Sequence, residues 1–351
     1  MDARAPEPPI PSGRRKSRRR VALVALAGLL ILVGLEAVRA LSPPAALRQA
    51  PMIVEVPPRH GLRDVARLFE RHGVIRSSVA FTVLAILRGS ARSLKAGEYE
   101  IPRGASLLTV LELLELGKVR PRLLVLPEGF TVTDLAQQLE AEGLARPAEV
   151  EGLASSRSFA QTLGIEADRL EGYLFPDTYQ VTKGMRIEEI LDRMVERFRE
   201  RIATAEVLTR ARARRLTLHE LVTLASIVEK EAVLAEERPI IAAVFWNRLK
   251  RGMPLQADPT VAYAVGRAGR APTREDLQVD HPFNTYRYRG LPPGPIANPG
   301  RAAVEAILSP ARVPYLYFVS IDDRQHHFST TLEEHNRAVA RYRKQRARGA
   351  L

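Results

Sequence analysis

Two glutamates in an otherwise apolar segment, Glu229 and Glu231, restrict how this chain can fold more than any other feature. A capping-box pattern from Thr217 to Glu220 predicts a helix that runs to about Ala232. At about 100° per residue the two carboxylates fall at opposite edges of its apolar side, roughly 200° apart. They cannot both face one cleft, so one of them works in a pocket or neither does. The apolar side consists of Leu218, Leu221, Val222, Leu224, Ala225, Val228 and Ala232.

The position of these glutamates has two explanations. Acidic side chains are seldom buried without a partner, and a general acid with a raised pKa is the common functional reason for such burial. The structural alternative is a pair of helix-surface glutamates that form salt bridges with arginine or lysine. Lys230, between them, is expected to point to solvent. Periodicity alone decides neither between the explanations nor between the two positions.

The N-terminal segment has the pattern of a membrane anchor. Residues 1–20 form a basic tail rich in Pro and Arg, which is expected to be disordered in the cytoplasm. Residues 21–38 are apolar apart from Glu36, and a spanning helix needs about 20 such residues. Basic residues are abundant before this run and sparse after it, which places the N-terminus in the cytoplasm. We therefore expect an anchor at residues 21–40; a signal peptide cleaved after Val38-Arg39-Ala40 is the alternative.

The net charge of +13 is concentrated at the two ends of the chain. Basic clusters are typical of nucleic-acid binding. Neither cluster is accompanied by zinc-finger spacing, an RNP-type aromatic motif or a recognisable helix-turn-helix, so we expect no nucleic-acid partner. The clusters are Arg14, Arg15, Lys16, Arg18, Arg19 and Arg20, and Arg337, Arg341, Arg343, Lys344, Arg346 and Arg348.

A weak repeat follows an expected linker at residues 41–51. Each copy is a short β-run ended by proline, then a turn and an amphipathic helix. The pattern predicts a small α+β domain at residues 52–122, built from the units that LysM-like sugar-binding modules use; a structural spacer is the alternative. The β-runs begin near Ile53, Glu98 and Leu123, and the helices near Leu62, Leu107 and Val132.

Residues 123–351 are predicted to form a second, mixed α+β domain, so the fold class is α+β after an N-terminal anchor. A helix from Glu236 to Lys250 is ended by Gly252. Asp258 before Pro259 is typical of an N-cap with proline at the first helical position. Further predicted elements are a helix opened by Asn298 toward Leu308, a strand at Tyr315–Val319 and a C-terminal helix opened by a capping box at Thr330–Glu333.

Several classes of enzyme are excluded because the sequence lacks the residue types or motifs that they need. The chain has no cysteine, which excludes thiol catalysis, disulfides and cysteine metal sites. No phosphate-binding glycine loop, dinucleotide-binding fingerprint or Gly-x-Ser-x-Gly elbow is present. His326, His327 and His335 lack standard zinc spacing, so hydrogen-bonded structural histidines are expected. We therefore expect neither a metal nor a cofactor.

Seven separated motifs resemble those of one bacterial family. They extend from about residue 50 to residue 345, and together they are similar to the endolytic murein transglycosylases, also called YceG-like proteins. Ala232 departs from the threonine that the family often has there. The motifs are Glu171–Tyr179, Glu229–Glu231, Gln256–Val261, Asn284–Tyr286, Gly290–Gly300, Pro314–Val319 and His326–Thr330.

The resemblance implies an enzyme that cleaves the β-1,4 bond between MurNAc and GlcNAc in peptidoglycan glycan strands and terminates nascent strands. In this family the second glutamate of the Glu-Lys-Glu motif is catalytic, and that position is Glu231. The family is anchored by a single helix in the bacterial inner (plasma) membrane, with its N-terminus cytoplasmic and its catalytic domain periplasmic. Cell-wall synthases, the penicillin-binding proteins, are the protein partners implied.

The motifs also suggest which residues bind sugar. Gln256 has no evident structural role and is the better candidate for a hydrogen bond, whereas Asp258 is either an N-cap or a substrate ligand. The rigid, proline-rich loop at residues 290–300 is expected to shape the cleft. The six candidate substrate-binding residues are Gln256, Asp258, Thr260, Asn284, Thr285 and Tyr286.

A single carboxylate fits a lytic transglycosylase, because the C6 hydroxyl of MurNAc itself attacks C1 and positioning replaces a second catalytic group. Glu231 would donate a proton to the glycosidic oxygen and then accept one from that hydroxyl, which leaves a 1,6-anhydroMurNAc end. The apolar neighbours Leu224 and Ile227 would raise its pKa. Two alternatives stay open: a non-catalytic peptidoglycan-binding scaffold, and a hydrolytic muramidase that pairs Glu231 with Glu171 or Asp177.

Overall fold

The computed structural model describes residues 13–57, 60–91, 94–322 and 325–347. The chain divides into two compact units. Residues 1–121 with 182–184 form the first, called here the anchor unit, and residues 122–181 with 185–351 form the second, the site unit. The finer domain limits given above stay predictions.

The anchor unit begins with a long helix, α1 (Gly13–Leu41). Its part from Val21 to Leu41 has a mean hydropathy of 2.6 and none of it is buried, so its length and composition suffice to cross a membrane. The expectation of disorder is wrong for residues 13–20, which are helical. Arginine and lysine are good helix formers, so the basic block continues the apolar helix backwards. Residues 1–12 of the expected tail lie outside the described residues.

The expected linker at residues 41–51 is partly folded. It contains a short helix, α2 (Ala45–Gln49), and Leu47 within it is fully buried in the core of the anchor unit. The prediction of a linker was therefore wrong for this part, because an apolar side chain six residues past α1 packs into the core. The segment leaves little free chain between the candidate span and the folded unit.

The rest of the anchor unit is a two-stranded sheet covered by helices. β1 (Met52–Val56) and β2 (Gly97–Ile101) pair antiparallel, with Met52 opposite Ile101. Two helices, α3 (Leu62–Arg71) and α4 (Ser78–Leu87), connect the strands, and α5 (Leu107–Leu116) follows β2. The predicted strands and helices of the first two repeats are confirmed as elements, whereas α4 was not predicted. The core contains Val54, Phe69, Phe81, Tyr99, Ile101 and Leu111.

The site unit is mixed α and β, with a large helical core and two small antiparallel sheets. β3 (Arg122–Val125) pairs with β4 (Thr178–Val181), and β5 (Tyr317–Ser320) pairs with β6 (His326–Ser329). The helices are α6 (Val132–Ala141), α7 (Pro147–Ala154), α8 (Arg157–Thr162), α9 (Ile187–Arg201), α10 (Ala205–Ala213), α11 (Leu218–Glu231), α12 (Arg238–Lys250), α13 (Asp258–Ala264), α14 (Arg301–Leu308) and α15 (Leu332–Ala347).

Helix α11 runs through the core of the site unit. The predicted capping box is present: the Thr217 hydroxyl accepts from the Glu220 amide at 3.1 Å, and the Glu220 carboxylate accepts from the Thr217 amide at 2.8 Å. Residues 221–228 are all buried. The helix ends at Glu231, because Ala232 adopts an extended conformation. The catalytic candidate is thus the last residue of a buried helix.

Three predicted helix starts are displaced. Asp258 is the first residue of α13, its N-cap is Ala257, and no side chain caps this helix. Asn298 does not open α14, which begins after Gly300, because the Asn298 side chain is used inside the core. The C-terminal capping box is formed by Thr331 and Glu334, one residue later than predicted.

Candidate active site

Glu231 lines an open cavity of about 860 Å³ in the site unit. Burial raises the pKa of its carboxyl to about 8; the negative charge of Asp258 adds to this rise, and the positive charge of Arg248 opposes it. Among the residues that the structure describes, none hydrogen-bonds this carboxyl. A pKa of about 8 favours the protonated form at neutral pH, and the cavity leaves the carboxyl open to a ligand. Arg248, Gln256, Asp258 and Tyr286 line the same cavity.

Glu229 is held by partners from other elements. Its carboxylate accepts from the Gly300 amide at 2.9 Å and forms an ion pair with Arg238 at 3.3 Å, and only 5% of its side chain is exposed. The two glutamates therefore diverge, as the helix geometry predicted, and only Glu231 lines the cavity. Lys230 does not simply point to solvent: it is half-buried, and its Nζ donates to the Gly129 carbonyl at 3.2 Å.

Asp258 and Tyr286 form a pair in the wall of the cavity. The Tyr286 hydroxyl donates to the Asp258 carboxylate at 2.5 Å. Burial first, and then this hydrogen bond, raise the pKa of the Tyr286 hydroxyl, which keeps it protonated at every physiological pH. Three of the six predicted substrate-binding residues, Gln256, Asp258 and Tyr286, thus line the cavity beside Glu231. The structure gives Asp258 a partner in the cavity in place of the predicted N-cap.

Arg248 was missed by the sequence analysis. Its guanidinium is buried and donates to the carbonyls of Leu316 at 2.6 Å and Leu255 at 2.7 Å, and it lies over the Tyr317 ring at 5.3 Å. Burial lowers its pKa. The sequence did contain a signal for it. Arg248 follows Val244 by four residues, about one helical turn, so an arginine lies on the apolar side of α12.

Gln256 is held in a strained conformation. Its φ of +49° is unusual for a residue other than glycine. The backbone is fixed because the Gln256 amide donates to the Thr285 carbonyl at 3.1 Å, and its side-chain oxygen accepts from Arg248 at 3.2 Å. The side chain is exposed in the cavity. Gln256 therefore does have a structural role, contrary to expectation, although it also lines the cavity. Strain that the surroundings enforce is common at functional sites.

Three of the predicted substrate-binding residues are buried away from the cavity. Thr260 and Thr285 are at most 1% exposed, and their hydroxyls hydrogen-bond each other at 2.8 Å. Asn284 is fully buried and donates to the carbonyls of Leu277 and Val279 at 3.0 and 2.8 Å. Their burial argues against direct contact with sugar, and we revise that expectation. They hold the loop that carries Tyr286 against the start of α13.

His326 and His335 both line the cavity of Glu231, where they make different contacts. His326 is hydrogen-bonded, as expected, because its Nδ1 and its amide both contact the Glu237 carboxylate, at 2.7 and 2.9 Å. His335 stacks on Tyr317 at 5.4 Å, and burial lowers its pKa. Within the described ranges, no group of three or more His, Asp or Glu side chains could hold a metal ion.

The other acids considered as partners of Glu231 lie elsewhere. Glu171 lines a separate cavity of about 900 Å³, is 4% exposed and accepts from the Val132 amide at 3.2 Å and the Asn298 amide nitrogen at 3.0 Å. Burial raises its pKa to about 8. Asp177 is ion-paired with Arg197 at 2.8 Å. Neither acid lines the cavity of Glu231.

The sequence profile of the YceG-like family matches residues 54–341, which include Glu231, Arg248, Gln256, Asp258 and Tyr286. The chain belongs to the YceG-like family. The resemblance drawn from seven motifs is therefore confirmed.

Relatives and a solved structure agree with the YceG-like assignment. A Bacillus subtilis (strain 168) protein named endolytic murein transglycosylase is 32% identical over 305 residues, which cover 82% of this chain and 84% of that protein. A Streptococcus pneumoniae (serotype 2, strain D39) protein of the same name is 30% identical, over 82% of this chain and 58% of that protein. A crystal structure of a YceG-like protein from Listeria monocytogenes superposes with a TM-score of 0.58 at 34% identity, and covers 82% of this chain and 99% of that chain.

Proposed function

We propose that this YceG-like protein is a lytic transglycosylase that cleaves peptidoglycan glycan strands endolytically, with Glu231 as its single catalytic acid and base. The observation that carries the proposal is the Glu231 carboxyl at the end of α11, in an open cavity, with a pKa raised to about 8. A general acid must be protonated at the working pH, and this carboxyl is. Relatives at 30–32% identity are named for this activity.

The proposed reaction needs one carboxyl and no cofactor. Glu231 donates its proton to the glycosidic oxygen that joins C1 of MurNAc to C4 of GlcNAc, and the bond between C1 and this oxygen breaks. The C6 hydroxyl of the same MurNAc then bonds to C1 and gives its proton to the Glu231 carboxylate. The acid is regenerated, and the products are a 1,6-anhydroMurNAc end and a free O4 hydroxyl. Because the nucleophile belongs to the substrate, its position in the cavity supplies much of the rate.

A hydrolytic muramidase is the second candidate, and one observation favours it. Asp258 lines the same cavity as Glu231, and a hydrolase needs a second carboxyl in the site of its acid. In that reaction Asp258 would activate water or stabilise the sugar cation, while Glu231 would protonate the leaving oxygen. The bond from Tyr286 favours the transglycosylase, because it occupies one lone pair of the Asp258 carboxylate.

The product of the reaction tests the proposal. Purified glycan strands are incubated with the protein, and the new ends are identified by mass spectrometry. Long fragments that carry new anhydro ends support an endolytic transglycosylase, because they come from cleavage within the strands. Reducing ends, which have the mass of added water, would show that the protein is a muramidase. Intact strands would indicate that it is a non-catalytic peptidoglycan-binding scaffold.

The cellular role follows from the location that we propose. Helix α1 anchors the chain in the bacterial inner membrane, single-pass, with the N-terminus in the cytoplasm and the site unit outside. Endolytic cleavage near this membrane would terminate nascent glycan strands, with cell-wall synthases such as penicillin-binding proteins as partners. Protease added to spheroplasts should degrade residues beyond about 45, and full protection would contradict this orientation.

The anchor unit is proposed to contact glycan as a LysM-like module. Its order of strand, helix, helix and strand, with the strands paired antiparallel, supports the proposal. A polar hollow of about 390 Å³ beside α3 includes Asp64 and Arg67. In the full chain, Arg67→Ala should weaken sedimentation with insoluble peptidoglycan; unchanged sedimentation would leave this hollow without a role in glycan binding.

A further inference from the structure

Helix α4 of the anchor unit carries an apolar stripe that faces solvent. The stripe recurs at i, i+4, i+7 and i+8, which is one side of a helix. Phe81 and Ala85 lie on the opposite side and are buried in the core. Exposed apolar surface of this kind marks a site for a protein or a membrane. The exposed residues are Val79, Val83, Ile86 and Leu87, with 71%, 50%, 58% and 78% of their surfaces exposed.

Several polar groups at the start of helix α4 are hydrogen-bonded within the protein. The Ser77 hydroxyl accepts from the Ala80 amide at 3.2 Å, and the Glu70 carboxylate accepts from the Ser78 amide at 3.1 Å and its hydroxyl at 2.7 Å. The Thr82 hydroxyl donates to the Ser78 carbonyl at 2.7 Å. Between Ser78 and Leu87 the helix contains no charged residue. These polar groups are therefore already paired before the helix meets a partner.

Its end is paired in the same way. The amides of Arg88, Gly89 and Ser90 donate to the carbonyls of Leu84, Ile86 and Ala85, at 2.9 to 3.0 Å. Unpaired polar groups are costly in an apolar medium, so each of these internal bonds lowers the cost of bringing the helix against lipid.

Helix α4 also starts where the chain leaves α1. Both Nε and Nη2 of Arg76 donate to the Pro43 carbonyl, at 3.3 and 3.1 Å. Pro43 lies two residues after Leu41, the last residue of α1, and Arg76 directly precedes Ser77, the N-cap of α4. Helices α1 and α4 are in contact. The apolar stripe is therefore held at the exit of the candidate membrane span.

We propose that α4 lies in the interfacial layer of the membrane that α1 spans, with its apolar stripe turned toward the lipid. The proposal rests on the anchoring by α1 that is part of the proposed function. Amphipathic helices bind such interfaces with their apolar side in the boundary between headgroups and acyl chains. A second attachment beside the span would hold the anchor unit in one orientation on the membrane surface. The occupant is the lipid surface, because the stripe is fixed beside the point of exit and carries no charge.

The test uses the full chain in phosphatidylcholine vesicles that contain phosphatidylglycerol. Because the chain has no cysteine, single cysteines can carry spin labels without other changes. Val83→Cys places a label on the stripe, and Arg63→Cys is the matched control on the charged, exposed face of α3. Collision of the label with oxygen, which concentrates in lipid, is compared with collision with a water-soluble nickel chelate.

We expect oxygen to relax the Val83→Cys label several times more strongly, relative to nickel, than the Arg63→Cys label. Equal nickel access at both positions overturns the proposal. Coupling between labels of two copies without increased oxygen access overturns it too and assigns the stripe to self-association. Flotation with the vesicles is measured first: a chain that fails to float refutes anchoring by α1, whereas a floating chain with a water-exposed Val83→Cys label refutes only the role of α4.

Discussion

The Tyr286 hydroxyl donates to the Asp258 carboxylate at 2.5 Å, and this pair shares a cavity with Glu231. The hydrogen bond from Tyr286 orients the Asp258 carboxylate in the cavity that Glu231 also lines. The Asp258 charge raises the pKa of Glu231 in addition to the larger effect of burial. Asp258 thus helps to keep the proposed acid protonated, whether or not it also touches the sugar.

Asp258→Asn should therefore shift the pH dependence of cleavage. The reaction needs protonated Glu231, so kcat/KM should fall as the pH rises through the pKa of about 8. Removal of the Asp258 charge lowers this pKa, so the fall should begin at a lower pH. The profile of kcat/KM against pH measures it. Asp280→Asn is the matched control, because Asp280 accepts an equally short bond from Tyr288 outside the cavity. An unshifted profile in Asp258→Asn would show that the charge does not tune Glu231.

The two glutamates of α11 should behave in opposite ways. Glu231→Gln keeps the shape and removes the proton donor, so cleavage should fall about 10²–10⁴-fold while the fold is retained. Glu229→Gln weakens the bonds to Arg238 and Gly300, so it should lower stability by about 1–3 kcal/mol. Cleavage rate and melting temperature are measured for both variants. A larger loss of activity in folded Glu229→Gln than in Glu231→Gln would move the catalytic role to Glu229.

Removal of the Glu231 carboxyl should also change how stability depends on pH. Burial raises the pKa of this carboxyl from its ordinary value of 4.5 to about 8, so the folded state keeps a proton that the unfolded state releases between these values. The free energy of unfolding must therefore fall as the pH rises through this window. In Glu231→Gln the free energy of unfolding does not fall in this way, because glutamine has no proton to release. Its melting temperature should match the wild type near pH 4 and exceed it increasingly up to about pH 8. A difference independent of pH would contradict the raised pKa.

Helical periodicity predicted the divergence of Glu229 and Glu231, because it fixes the angle between two side chains of one helix. It could not choose between them, since the choice depends on Gly300 and Arg238, which reach Glu229 from other elements. The cap predicted at Asp258 failed for the same reason: the bond from Tyr286 joins residues 28 apart in the chain. Local sequence patterns specified the helices, whereas the partners of each polar side chain were set by tertiary contacts.

The role of Asn298 shows this most clearly and gives the last prediction. In place of a helix cap, its side-chain oxygen accepts from the Gly172 and Leu174 amides, both at 2.9 Å. Its side-chain nitrogen donates to the Phe130 carbonyl and the Glu171 carboxyl, both at 3.0 Å. The fully buried side chain thus connects three separate segments of the site unit.

Asn298→Ala should leave two buried amides without an acceptor, at a cost of about 1–3 kcal/mol for each unpaired group. The melting temperature should fall by several degrees, since about 1 kcal/mol shifts it by roughly 2–4 °C in a domain of this size. Because Asn298 does not line the cavity of Glu231, cleavage measured well below the melting temperature should persist. Asn336→Ala, at an exposed position on α15, is the control and should melt like the wild type. If Asn298→Ala melted normally but lost cleavage, the residue would belong to the active site rather than to the framework that supports it.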